Sequence, residues 1–173
     1  TLEVFGQQLK GVLVFSQVVG IAGDGVAPPV SSQLVITGLT LEVGARDGTD
    51  TLTAGVRVSN GSAFFSLGES FAGQISGTVT LVGTPATIAG TISVAINTGT
   101  TAVSESVEVD GTSIGLVLPA GPYLKISGTD VQLGIAGQRV SGNLTITQTG
   151  AGAVSSLTIA FSNLRAGFGD GTT

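Results

Sequence analysis

The residues best suited to chemistry in this chain are aspartates that lie beside glycines in short turn-like segments. Asp24 and Asp170 each lie between two glycines, and Asp47 and Asp50 flank a Gly-Thr pair. Calcium prefers several oxygen ligands from flexible loops, but Asp-Gly is also the preferred pair in a tight β-turn. The sequence therefore leaves two interpretations of Asp24, Asp47, Asp50 and Asp170 open, a calcium site and simple turn formation.

Catalytic side chains are scarce. The chain contains no His and no Cys, so a Ser-His-Asp triad, a Cys-His pair and a His-based metal site are all excluded. The 11 Asp and Glu residues stand singly at turns or on polar strand faces, as Glu42, Glu105 and Glu108 do. Their sequence neighbours do not provide the apolar surroundings that general acid-base catalysis requires. We expect no catalytic residues and no enzyme; two carboxylates in the cleft of a β-roll are the remaining catalytic alternative.

Tyr123 is the candidate for ligand binding. It is the one Tyr of a chain without Trp, and it follows a break marked by Pro119 and Pro122. Aromatic rings often stack on sugars in lectin sites, but a Tyr at the start of a strand also packs against the core or its rim. The sequence leaves both roles open for Tyr123.

Charge and aromatic content argue against two classes of partner. Charged residues make up 10% of the chain, against roughly 25% in a typical protein. The six Lys and Arg residues are scattered and the net charge is −5, so no basic stripe is available to neutralise the phosphates of a nucleic acid. With aromatics at 5%, the chain lacks the aromatic girdles of membrane-inserted strands. We therefore expect no nucleic acid partner and no membrane insertion.

Alternation of apolar with small or polar residues runs through the chain. It is clearest over residues 91–97, where Ile92, Val94 and Ile96 alternate with Thr, Ser and Ala. A period of two residues is typical of a strand with one apolar and one polar face, and about a dozen such segments can be distinguished. The residues expected to face the core include Ile92, Val94, Ile96, Leu133, Leu144 and Ile146.

Glycines punctuate these strands in two ways. Tight hairpin turns are predicted at Asn60-Gly61, Asp110-Gly111 and Gly128, because these residues tolerate positive φ. Bulges or bends are predicted where glycine interrupts an alternating run, at Gly11, Gly77, Gly90 and Gly142. The sequence therefore predicts an all-β fold, a mostly antiparallel bent β-sandwich or roll, with a β-solenoid-like repeat stack as the alternative.

One stretch of the chain occurs twice. Residues 6–17 return as residues 137–148, a spacing of 131 residues from Gly6 to Gly137. A Val-Ser-Ser and an Asp-Gly-Thr follow each copy in the same order, at residues 30–32 and 47–49, and at 154–156 and 170–172. Self-similarity at a fixed spacing is the mark of a repeat array. We interpret residues 1–173 as a single all-β unit with about one and a third copies of a 131-residue repeat, in which 5–49 is echoed by 136–173.

Residues 56–65, 107–123 and 124–148 resemble the β-rich tandem repeats of very large secreted bacterial proteins. Such proteins often also carry hemolysin-type calcium-binding repeats, although the Gly-Gly-x-Gly-x-Asp series itself is absent from this chain. The resemblance implies a structural repeat module of an adhesin or extracellular fibre, located outside the cell or at its surface. It implies neighbouring repeats or end-to-end copies of the chain as partners, with a glycan or cell surface as a further contact. It brings no catalytic residues and no cofactor other than calcium; a carbohydrate- or surface-binding β-module is the alternative.

Overall fold

The structure, a computed structural model, describes residues 2–4, 7–19, 30–150 and 154–168. These residues form eleven β-strands and their connections. None of the described residues belongs to a helix long and apolar enough to cross a membrane. The strands are β1 (Leu2–Val4), β2 (Gln7–Val19), β3 (Val30–Arg46), β4 (Leu52–Leu67), β5 (Phe71–Val82), β6 (Thr87–Asn97), β7 (Val103–Val109), β8 (Thr112–Leu118), β9 (Tyr123–Ile135), β10 (Gln138–Thr149) and β11 (Ser156–Gly167).

Nine strands form one open antiparallel sheet in the order β1-β2-β3-β4-β5-β6-β9-β10-β11. Strands β7 and β8 leave this sheet between β6 and β9 and pair with each other as a hairpin. The turn of the hairpin is Asp110-Gly111, where both residues have positive φ, as the sequence predicts for a two-residue turn. The all-β, mostly antiparallel fold expected from the sequence is confirmed, and in the described part of the chain its second layer is this hairpin.

Successive side chains of each strand point to opposite faces of the large sheet. The face covered by the β7–β8 hairpin, here called the hairpin face, carries Val35, Phe64, Ala72 and Ala95. The opposite face, here called the open face, carries a row of apolar side chains that runs from strand to strand. Cross-strand partners on the open face are Phe15 with Leu34, Leu34 with Phe65, Ile75 with Val94, Val94 with Ile126, Ile126 with Ile146, and Ile146 with Ile159.

The main core lies between the hairpin and the large sheet. Leu116 and Leu118 of β8 are buried there, and Leu116 is 0% exposed. Both project from alternate positions of a strand whose intervening residue, Val117, is 74% exposed. The core cluster consists of Val35, Phe64, Ala72, Ala95, Val109, Leu116 and Leu118, with Val14, Val103, Val107, Ile114 and Tyr123 packed against it.

The predicted core residues are not the buried ones. Ile92, Val94, Ile96, Leu144 and Ile146 are half-buried and belong to the open face, and Leu133 is 41% exposed. A smaller buried cluster of Ile36, Leu39 and Ala63 does form on the open face. Alternation correctly identifies the apolar face of each strand. It carries no information about which face of the sheet the hairpin will cover, so the expected core was wrong.

The four in-strand glycines all lie at β-bulges, as predicted. The pairing register shifts beside Gly11, opposite Gly77, and at Gly90 and Gly142. Gly90 has φ of 146°, and a Cβ on it would lie 2.7 Å from the Cα of Val131, so the close approach of β6 and β9 requires glycine there. The bulges bend each long strand near its middle.

Two of the predicted hairpin turns are wrong. Asn60-Gly61 lies inside β4, where the two residues form a bulge opposite Gly77, and Gly128 lies inside β9. Asn60 does adopt positive φ, at 51°. The Asn-Gly pair supplies that conformation to a bulge as readily as to a turn, and the long strands on either side make it a bulge here.

A polar contact holds the hairpin on the sheet. The two carboxylate oxygens of Glu105 in β7 accept hydrogen bonds from Nε2 of Gln33 and from Oγ of Ser66, both at 2.9 Å. Gln33 and Ser66 are buried on the hairpin face. The expectation that Glu105 stands alone on a polar face is therefore wrong, because the partner residues are distant in sequence.

Replacing Glu105 by alanine is expected to lower the free energy of unfolding by about 1–3 kcal/mol, since two buried polar groups lose their partner. Glu108→Ala on the exposed side of the same strand is the matched control, expected to change it by less than about 0.5 kcal/mol. Urea unfolding of the two variants measures the difference. Equal losses would show that the hydrogen bonds of Glu105 add no stability.

The β2–β3 and β10–β11 hairpins have the same pairing. Each has its register shift at the repeated glycine, Gly11 or Gly142. Each also has a positive-φ residue in its second strand, Gly38 at 59° and Asn163 at 53°. Corresponding partners include Lys10–Thr40 and Ser141–Arg165, Val12–Thr37 and Asn143–Ser162, Leu13–Ile36 and Leu144–Phe161, Phe15–Leu34 and Ile146–Ile159, and Gln17–Ser32 and Gln148–Leu157.

In these pairs, equivalent residues are 131 positions apart in the first strands of the hairpins, β2 and β10. They are 125 positions apart in the second strands, β3 and β11, as Ile36 and Phe161 are. Ser32 is thus equivalent to Leu157. The Val-Ser-Ser match in the sequence, which equates Ser32 with Ser156, is displaced by one residue from the structural equivalence. The structural equivalence of the two hairpins therefore follows from the strand pairing of β2 with β3 and of β10 with β11, and not from the short Val-Ser-Ser motif.

Candidate functional site

The Asp47 loop joins β3 to β4 and is closed by its own hydrogen bonds. Oδ1 of Asp47 accepts from the backbone N–H of Thr49 at 2.9 Å, from the Thr49 hydroxyl at 2.7 Å and from the backbone N–H of Thr51 at 3.0 Å. The backbone N–H of Asp50 donates to the carbonyl of Asp47 at 3.1 Å. This is the arrangement by which an Asp side chain stabilises a turn.

Asp50 belongs to a charged cluster at the same end of the sheet. Its carboxylate accepts a hydrogen bond from Nε2 of Gln8 and lies 3.7 Å from Nε of Arg46. Arg46 and Arg57 also form ion pairs with Glu42, at 3.0 and 2.7 Å. Burial raises the pKa of Glu42, but the hydrogen bonds and charges of Arg57 and Arg46 outweigh it, so that its pKa is lowered. Glu42 is therefore paired, contrary to the expectation from the sequence.

Acid is expected to remove a stabilising contribution of the Asp47 loop. The backbone N–H of Thr51, followed by the hydroxyl and N–H of Thr49, lowers the pKa of Asp47 from its ordinary value of 3.8. A carboxyl with a lowered folded pKa stabilises the fold above its unfolded pKa and loses that effect as the pH falls through the folded value. Melting temperature measured from pH 7 to pH 2 should therefore fall less steeply in Asp47→Asn than in the unchanged chain. Identical slopes below pH 4 would contradict this role.

Calcium binding by the four aspartates stays a prediction. Asp24 and Asp170 lie outside the described residues, and Asp47 and Asp50 are held by the hydrogen bonds above. Within the described ranges, no group of three or more His, Cys, Asp or Glu side chains could hold a metal ion. If calcium binds, its removal by a chelator lowers the melting temperature, and Asp47→Asn abolishes that difference. A melting temperature independent of calcium in both proteins leaves these residues with the turn role alone.

Tyr123 lies between two cavities at the end of the sheet where the β7–β8 hairpin is attached. The larger cavity has a volume of about 340 Å³ and is lined by Tyr123, Pro122, Leu124, Ile96 and Gln148, among others. The smaller one, about 180 Å³, has a polar lining that includes Gln74, Ser93, Lys125 and Ser127. The side chain is half-buried and packs against the main core. Tyr123 thus has the packing role, and it also contributes an aromatic wall to a cavity of the size that takes small ligands, roughly 300–1,000 Å³.

Asn97 is the residue of this region that sequence reasoning missed. It is 0% exposed, and its Nδ2 donates to the carbonyls of Thr101 and Pro119, both at 2.8 Å. Its Oδ1 accepts from the backbone N–H of Gly99 at 2.9 Å. Asn97 therefore holds both connections of the hairpin and shapes the wall of the larger cavity. Its one sequence signal is an Asn at the end of an alternating run, followed by Thr-Gly, which favours a turn.

The two candidate regions offer different chemistry. The Asp47–Asp50 loop offers carboxylate oxygens already engaged in hydrogen bonds and ion pairs. The Tyr123 cavity offers an apolar wall with the amide of Gln148, while the Thr98 hydroxyl beside it is hydrogen-bonded to the backbone of Phe71. The cavity can accept a ring that stacks and makes a few hydrogen bonds.

Comparison of the chain with protein-family models, with curated proteins and with solved structures found no match.

Proposed function

We propose that this chain is a structural repeat module of a secreted bacterial adhesin or extracellular fibre, acting as a spacer and surface-contact element without catalysis. The observation that carries the proposal is the equivalence of the β2–β3 and β10–β11 hairpins. They share their pairing register, their bulge and the position of a positive-φ residue. A hairpin that recurs with this agreement is the expected start of a second unit in a tandem array.

The composition of the surface supports a spacer role. Few residues are charged, at 10% of the chain, and the hairpin face outside the core carries mainly small hydroxyl side chains. Such residues include Ser62, Ser76, Ser93, Ser127, Thr145, Thr147, Thr158 and Ser162. A polar but weakly charged surface of this kind stays hydrated without attracting charged partners.

A spacer is expected to lengthen in proportion to the number of its units. One unit contributes six strands to the large sheet, β2, β3, β4, β5, β6 and β9. At roughly 4.8 Å between neighbouring strands, each added unit extends the sheet by about 29 Å. Small-angle X-ray scattering of proteins with one, two and three units measures this increment. A maximum dimension that does not increase with each unit would overturn the spacer proposal.

A carbohydrate- or surface-binding module is the second candidate, favoured by the cavity beside Tyr123. In that case a glycan array should return specific ligands, and Tyr123→Ala should abolish their binding. Phe71→Ala is the matched control, because Phe71 stacks on Phe65 with ring centroids 6.0 Å apart and does not line the cavity. A spacer binds no glycan specifically, so the array separates the two functions.

A further inference from the structure

Strands β3 and β11 are equivalent, but they differ in what lies on their outer side. Strand β3 pairs with β2 on one side and with β4 on the other, whereas β11 pairs with β10 alone among the described residues. The side chains reflect the difference. Leu39 of β3 is 1% exposed, and its equivalent in β11, Leu164, is 62% exposed. The exposed side of β11 thus corresponds to a surface that is covered elsewhere in the same chain.

We propose that the free edge of β11 binds the strand equivalent to β4 in a second copy of the repeat unit. This inference rests on the proposed function, and it specifies how one unit is joined to the next. The large sheet then continues from unit to unit with antiparallel pairing throughout. The β7–β8 hairpin recurs once in every unit and lies on the same face each time.

The β3–β4 pairing provides the register of this junction. Leu34 lies opposite Phe65 in the chain, and Ile36 lies opposite Ala63. Their equivalents in β11 place Ile159 opposite Phe65, and Phe161 opposite Ala63, of the second copy. The same register places Leu157 opposite Leu67, Thr158 opposite Ser66 and Ser162 opposite Ser62.

The chemistry of both faces fits this register. On the open face, Leu157, Ile159 and Phe161 are exposed in β11, and they gain the cross-strand neighbours that stabilise sheets. On the hairpin face, the same register places Ala160 opposite Phe64, between the Thr158–Ser66 and Ser162–Ser62 pairs, so each pair contains at least one small side chain. In the chain, Gly61 lets β4 approach Leu39 closely, because a Cβ on Gly61 would lie 3.0 Å from the Cβ of Leu39. Leu164, the equivalent of Leu39, would lie opposite Gly61 of the second copy.

The edge of β11 has few of the features that usually protect an edge strand, and its bulge beside Asn163 has a counterpart in β3, which is paired on both sides. Strand β11 is twelve residues long, and its sequence contains no Pro and no Lys, with Arg165 as its one charged residue. Edge strands that remain unpaired are normally short, charged or interrupted by Pro. The Glu42–Arg57 ion pair of the β3–β4 junction has no counterpart, because Gly167 takes the place of Glu42.

A two-unit protein tests the junction. It consists of residues 1–173 followed directly by residues 49–173, so that Ile159 and the second Phe65 are 31 positions apart, as Leu34 and Phe65 are in the chain. The chain has no Cys, so introduced cysteines report a single contact. One variant carries Ser162→Cys in the first unit with Ser62→Cys in the second, and another carries Phe161→Cys with Ala63→Cys. Adjacent antiparallel pairs alternate between wide and narrow Cα spacing, so one of the two suits a disulfide.

The matched control pairs Ser162→Cys with Ser66→Cys, a slip of four residues, or about 13 Å along the strand. We expect mild oxidation to form the disulfide in at least one register-matched protein and not in the slipped one, as seen by mass spectrometry. We also expect the amides of β11 to exchange with solvent at least tenfold more slowly in the two-unit protein than in the single chain. The junction would be overturned if the disulfide formed equally in the matched and the slipped proteins. It would also be overturned if neither register-matched protein formed the disulfide.

Failure of the junction and failure of the spacer function give different results. If neither matched disulfide forms but scattering still shows the two-unit protein lengthened, the units are joined in another way and the spacer proposal stands. If the length does not increase, the spacer proposal falls as well. If the circular dichroism signal of the two-unit protein is no stronger than that of one unit, the second unit is unfolded. This result also overturns the junction, because β11 then does not take the place of β3 beside the second β4.

Discussion

Replacing Leu116 by alanine is expected to lower the free energy of unfolding by about 2–5 kcal/mol. Leu116 is 0% exposed, and its side chain lies where the hairpin meets the apolar residues of the large sheet. Removing it leaves a cavity between two layers that are each held in place by extended strands, so little collapse can compensate. Urea unfolding followed by circular dichroism measures the loss.

Val117→Ala is the matched control, one residue further along the same strand. Its side chain is 74% exposed, and its replacement should change the free energy of unfolding by less than about 0.5 kcal/mol. The comparison separates burial beneath the hairpin from any effect of alanine on strand formation. Similar losses in the two variants would mean that the hairpin does not cover the sheet as described.

The second large effect is expected at Asn97. Asn97→Ala removes the partner of the Thr101 and Pro119 carbonyls and of the Gly99 N–H. Each buried polar group left without a hydrogen bond costs about 1–3 kcal/mol, so the summed loss should reach roughly 3 kcal/mol or more. Because these groups belong to the two connections of the hairpin, the variant should also expose the main core.

Thermal unfolding and binding of an apolar dye together test this role. Asn97→Ala should melt at a lower temperature and bind more dye in its native state than the unchanged chain. Thr91→Ala, an exposed position of the same strand, is the control and should do neither. A stability like that of the control would show that the hydrogen bonds of Asn97 are replaceable by water.

The junction proposed at β11 gives a physical role to the uncovered apolar surface near the end of the sheet. Phe161 and Leu164 are exposed in the single unit, while their equivalents Ile36 and Leu39 are buried. Leu39 and Leu164 are the same type of residue, so their difference in exposure reflects the number of neighbouring strands. A tandem array would therefore bury at every internal boundary what a single unit leaves in solvent.

The local conformation of the chain could be predicted from its sequence. A period of two residues predicts strands, because alternate side chains of a strand point to opposite faces. Gly11, Gly77, Gly90 and Gly142 were correctly placed at bulges, since glycine interrupts a strand where backbones approach closely. Asp110-Gly111 was correctly placed at a turn. Each of these properties depends on a few neighbouring residues.

The candidate site was predictable only in part. Tyr123 stood out because it is the one Tyr of the chain, and the structure places it at a cavity as well as in the packing of the core. Asn97 could not be identified, because Pro119 is brought to it by the return of the hairpin and Thr101 by the local course of the loop after β6. The Glu42–Arg57 ion pair and the hydrogen bonds of Glu105 were missed because they join residues of different strands.

The sequence by itself determined the type of element, the apolar face of each strand and the recurrence of one hairpin. Tertiary structure alone decided which face became the core, since the hairpin covers the face with Val35 and Phe64 and leaves the face with Val94 and Ile146 open. It also decided that Asn60-Gly61 is a bulge and not a turn. The physical reason is that alternation and backbone preference are local, whereas burial depends on which distant segment lies above a given strand.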